Sequence, residues 1–163
     1  MPAALCAALA GIDAEASARV ASPALRAAGR IQGRGLLRVA RRCWPAPLLD
    51  VLASLHREGP LAPMALGGAG ALAAMTAAEV ATASLWGAVS GPAWAAVRLL
   101  GLDPLEVTAA LVRRAAVVDR EAALVAAWGC GDRAPSELPA GGAPLAEIGA
   151  EAHAGWEVRL FAS

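Results

Sequence analysis

The chain has no tyrosine, no lysine and a single phenylalanine. With aromatic residues at only 4% of the chain, a core has to be built mainly from aliphatic side chains and alanine, and most of the 58% hydrophobic content is of that kind. Alanine is the best helix former and a poor strand former, so this shortage predicts an all-α protein. The missing lysine leaves arginine as the only strong cation, and 14 basic residues against 14 acidic ones give a formal net charge of zero. A neutral chain lacks the positive excess that nucleic acid binding needs, so nucleic acid is not expected as a partner. Histidine is scarce: only His56 and His153 occur, neither has a Cys or His at ligand spacing, and there is no CxxC or HxxxH. His153 beside Glu151 reads as a surface or capping histidine ahead of a transient metal contact. Cys6, Cys43 and Cys130 are far apart and odd in number, which suits a reducing cytoplasm better than a disulfide framework. The LGGAG at 66–70 lacks the Lys-Ser/Thr of a phosphate loop, and there is no GxSxG. No catalytic residue, cofactor site or metal ligand is therefore assigned, and an enzyme is not expected.

Long hydrophobic runs have to be weighed, since mean hydropathy is +0.53. Leu61–Ala78 and Val80–Val97 are uncharged and separated only by Glu79, the length of a bilayer-crossing pair. They consist mostly of Ala, Gly, Ser, Thr and Pro, which transfer weakly into lipid, and no aromatic belt flanks them. A helical core in water is expected, with a helical-hairpin membrane protein as the alternative. Met1–Gly11 has no basic n-region, so a signal peptide is not supported.

At 163 residues the chain reads as a single helical domain. Residues 1–21 form short N-terminal helices ending at Gly11 and near Val20, 22–128 the helical core, 129–144 a turn-rich linker, and 145–163 a C-terminal helix and tail. The expected architecture is a compact bundle of about seven helices around a proline-kinked central helix. Leu85 to Val107 holds that centre. Leu85, Val89, Ala93, Ala96 and Leu100 fall on one helical stripe, while Gly87, Gly91, Trp94 and Arg98 fall on the opposite one. Gly87 and Gly91 leave a flat surface for a close helix, and Trp94 sits one turn from Arg98. A helix so patterned is expected to be buried on two faces, with Arg98 paired inside or reaching across an interface. Ser22-Pro23, the Thr76…Glu79 box and Asp103-Pro104 mark helix starts. Arg26, Arg30, Arg34 and Arg38 recur every fourth residue, continued by Arg41 and Arg42: a solvated face, or a docking face for an acidic partner. The chain ends on Arg159, Leu160, Phe161, Ala162 and Ser163. An apolar pair behind a cation in a segment that is ordinarily frayed and polar suggests a buried or partner-bound tail.

Four segments also share an order with a known family. ALRAAGRIQGRGLLRVA (24–40), HREGPLAPMALGGAGA (56–71), the AAVRL of 95–99 and PLAEIGAEAHAGWEVRLFAS (144–163) resemble successive parts of the urease accessory protein F family. The last carries its terminal PL-x-[DE]-I…H…RLF-x-S signature. The likeness runs from Ala24 to Ser163. It departs after AAVRL, where LLGLDPLEV replaces a PLGQ-type turn, and at Ala154, where a Glu usually follows the histidine. The family's N-terminal half has no counterpart. The resemblance implies a cytoplasmic, homodimeric, non-catalytic scaffold. It would bridge accessory proteins of the UreD/UreH type and the nickel-inserting GTPase UreG on the way to apo-urease. Arg98, His153, Arg159, Leu160, Phe161 and Ser163 would be its partner-binding residues, and Gly87, Gly91 and Trp94 its packing residues. A helical regulator unconnected with urease is the remaining alternative.

Overall fold

Local start signals account for most of the helix boundaries. A computed structural model describes residues 3–131 and 133–156. They hold eight helices and one 3-10 turn, with no strand among the described residues: α1 Ala3–Ala18, α2 Pro23–Cys43, α3 Pro47–Ser54, α4 Ala62–Leu72, α5 Ala77–Leu100, α6 Pro104–Val112, α7 Ala115–Gly129, the turn Pro135–Glu137, and α8 Pro144–Ala154. Ser22 accepts a hydrogen bond from the Leu25 amide and Pro23 follows it, so α2 begins where the pair predicts. Thr76 and Glu79 cap α5 reciprocally: each side chain accepts from the other's main-chain N–H. Asp103 accepts from the Leu105 amide at the start of α6. Gly101, at φ +65°, ends α5 in the left-handed conformation that a residue with a Cβ resists.

The chain falls into two compact units. The first gathers residues up to Ala74 together with those from Ala134 onward. Its core is Leu37 and Ala40 of α2, Leu49 and Leu52 of α3, and Ala65 and Ala69 of α4. Leu49 and Leu52 are fully enclosed, and each contributes about 1.5–3 kcal/mol on the usual area scale. Two glycines admit this packing. A Cβ on Gly68 would run into the Leu52 side chain, and one on Gly33 into the Pro60 carbonyl. The close contact read from the glycines of α2 and α4 is therefore real at those positions, whereas Gly35 and Gly67 face open space.

The second unit is Met75–Arg133, in which α5 lies against α6 and α7. Its buried side chains are Leu111, Val118 and Ala122. Here the expected doubly buried central helix is corrected: α5 has no buried residue at all. Trp94 is 41% exposed and Leu100 71%, and a Cβ on Gly87 or Gly91 would meet nothing within 4 Å. Three boundaries also differ. Gly11 does not divide the N-terminal helix, because one glycine costs only about 1 kcal/mol and the residues after it remain helix formers. The helix after Asp103 breaks at Arg113 and Arg114, where the Arg114 amide donates to Leu111 and tightens the turn. The last helix ends at Ala154.

Candidate functional site

Most of the arginines of α2 bind groups of this chain. Arg26 donates to the carbonyls of Val20 and Ala21 and closes the approach to its own helix. Arg30 is 5% exposed and faces Asp13 of α1, itself 4% exposed. Its guanidinium donates to both carboxylate oxygens, at 3.2 and 3.0 Å, and to the Gly59 carbonyl at 2.7 Å. Asp13 also accepts from the Leu61 amide at 3.2 Å. This one pair thereby ties α1, α2 and the connection between α3 and α4. A buried pair survives the cost of losing water only when its remaining donors and acceptors are satisfied, as here. Arg34 donates to the Glu58 carbonyl. Arg41 meets Asp50 at 2.8 Å in an exposed pair, worth about 0–1 kcal/mol.

The C-terminal segment is fastened to the same unit at two places. Arg19, just after α1, pairs with Glu15 and donates to the carbonyls of Pro135, Ser136 and Leu138. It thus holds the 3-10 turn inside the stretch that reads as a turn-rich linker. Glu151 of α8 reaches the N-terminus of α2: its carboxylate accepts from the Ser22 hydroxyl at 2.5 Å and from the Ala24 amide at 2.9 Å. The Ser22 and Ala24 hydrogen bonds hold the Glu151 carboxyl below the ordinary carboxylate range, with help from Arg26. A carboxylate at this position also meets the positive end of the helix dipole. Two residues on, His153 is half-buried and stands edge-on to Trp156 at 5.0 Å between ring centroids. Its Nε2 is buried with no hydrogen-bond partner among the described residues.

The residues singled out from sequence fall in different elements. Gly87, Gly91, Trp94 and Arg98 lie exposed on α5, so Arg98 is not enclosed between two packed faces. His153 is in the last turn of α8. Arg159, Leu160, Phe161 and Ser163 lie outside the described residues. Asp13, Arg19, Arg30 and Glu151 carry the tertiary network and were not legible, because their partners are 17 to 129 residues away in sequence. Among the described residues no group of three or more His, Cys, Asp or Glu side chains could hold a metal ion. None of the described helices is long and apolar enough to cross a membrane, which argues against the helical-hairpin alternative.

These features define an all-helical protein in which Asp13, Arg19, Arg30 and Glu151 join its helices. Comparison with known sequences supplies the family. The UreF profile matches residues 2–115. A urease accessory protein UreF of Mycobacterium sp. (strain JLS) is 38% identical over 155 residues, 95% of this chain and 67% of that protein. The protein of the same name from Mycobacterium marinum is 39% identical over 153 residues, 94% of this chain and 66% of that one. The chain belongs to the UreF family. The likeness starts upstream of Ala24, where the segment motifs place its beginning, and the chain spans about two thirds of the length of these relatives. No solved structure gives a significant match.

Proposed function

We propose that the chain acts in urease maturation as a scaffold without chemistry of its own. The observation that carries the reading is family membership: relatives called urease accessory protein match over nearly the whole chain. In this reading it works in the cytoplasm as a homodimer. It bridges an accessory protein of the UreD/UreH type and the GTPase UreG while nickel is delivered to apo-urease. The exposed face of α5 supports such a role, since Trp94 lies at the surface beside Gly87 and Gly91. The anchoring of α8 supports a second contact. Glu151 fixes the helix that precedes Arg159, Leu160 and Phe161 in sequence, and His153 is in its last turn.

Affinity purification of the tagged chain, co-expressed with the urease subunits and the other accessory proteins, tests the reading. The UreD/UreH-type protein and UreG are expected in the eluate, and urease activity should depend on the chain. Deleting residues 159–163 should abolish capture of the UreD/UreH-type protein while helicity stays within a few per cent of the parent. Undiminished capture by the deletion variant would remove the tail from the interface. Full urease activity without the chain would remove the maturation role.

A further inference from the structure

Three arginines of α2 outside the buried pair line a surface groove, and no function so far described uses it. The groove measures about 480 Å³ and runs along α2 against α3 and the α3–α4 connection. Arg34, Arg38 and Arg41 line it from α2, Arg57 from the other side, and Ile31 and Ala53 add apolar surface. No acidic residue lines it. Arg38 has neither a hydrogen bond nor an ion pair to any described residue, and it is exposed. Arg57 is paired only at the surface, 3.4 Å from Glu58, with its side chain 86% exposed. The Asp50 bound to Arg41 is also exposed, and exposed pairs of this kind are weak enough to exchange for a competing carboxylate. In a chain with no net charge, α2 carries six arginines and no acidic residue, so its field is local and one-signed.

We infer that this groove is a docking site for an acidic amphipathic helix of a partner protein. The spacing supplies the argument. Arg34, Arg38 and Arg41 stand at i, i+4 and i+7, a linear array of about 10 Å at 1.5 Å per residue. Carboxylates one helical turn apart on a facing helix match that array, and a guanidinium is suited to planar carboxylate recognition. Ile31, 46% exposed beside these cations, offers the apolar contact that an alternating Leu or Ile on the incoming helix would cover. A single compact anion, in contrast, would engage only one end of a row this long. The inference is independent of the reading of the tail and of the partners named for it.

The test uses the full chain and a fluorescent synthetic helix carrying Glu at i, i+4 and i+7 with Leu between them. Anisotropy titration should show saturable binding that weakens at least several-fold between 50 and 300 mM NaCl. The double variant Arg38→Gln/Arg57→Gln should lose about tenfold in affinity with its thermal midpoint unchanged, because both side chains are exposed. The single Arg38→Glu variant provides the same reading should the double variant fold poorly. A peptide with Gln in place of Glu should not bind. Equal affinity for the Gln peptide, or for either variant, would overturn the proposal. So would displacement of the bound peptide by inorganic phosphate at the same concentration as by free Glu peptide, which would mark a small-anion site.

Discussion

Asp13 and Arg30 are the residues on which the first unit depends most. Each is enclosed, and each has a second partner on the α3–α4 connection, Leu61 for the carboxylate and Gly59 for the guanidinium. Removing one member leaves the other charged and buried without its partner, which costs about 3–5 kcal/mol. Asp13→Ala should therefore lower stability by that amount in urea denaturation, whereas Arg41→Ala, at an exposed pair, should change it by about 0–1 kcal/mol. Glu151 predicts a pH dependence. Its carboxyl is held below the unfolded value by Ser22 and Ala24. The stability it contributes is therefore complete above the ordinary carboxylate range and is lost as pH falls through the depressed folded value. The melting temperature of Glu151→Gln should lie below the parent's at neutral pH, and the two should converge in acid. A constant gap across that range would show that the carboxylate charge is not what matters. Glu79, lowered by the Thr76 amide and hydroxyl, titrates in the same direction but is present in both proteins and cancels.

At the level of elements, caps and glycines make separable predictions. Thr76→Ala removes the acceptor for the Glu79 amide and should cost about 1 kcal/mol, read as a shift in the denaturation midpoint. Gly68→Ala should destabilise, since the new methyl meets Leu52, while Gly67→Ala, one residue away and facing open space, should stabilise by about 0.5–1 kcal/mol. The capped starts of α2, α5 and α6 were legible because each signal lies within four residues of the boundary it sets. The interruption at Arg113 and Arg114 was not, since no proline or glycine marks it. The face of α5 was misread for a related reason. Periodicity reports which residues share a stripe, and it says nothing about whether a neighbour arrives to cover that stripe. The α2 arginines show the same limit: their spacing put them on one side of a helix, and only the fold decided that Arg30 is enclosed and Arg38 exposed.

For the whole molecule, family and helical class were legible from scattered motifs, because those depend on composition and local sequence order. The interleaving of the chain was not. The first unit is assembled from both ends of the sequence, and Met75–Arg133 intervenes as a unit of its own. Arg98→Ala probes that second unit. Because Arg98 is exposed, the variant should keep its melting temperature within about 1–2 °C, consistent with a surface change of a few tenths of a kcal/mol, while co-purification of the accessory partners falls. A large drop in melting temperature would return Arg98 to a structural role. The reach of Glu151 back to Ser22 has a consequence for biosynthesis. The two residues are 129 positions apart, so on a ribosome moving at roughly 5–20 residues per second the start of α2 waits about 6–26 s for its carboxylate. Throughout that interval the nascent first unit lacks α8, and its assembly is completed only after the whole intervening unit has been translated.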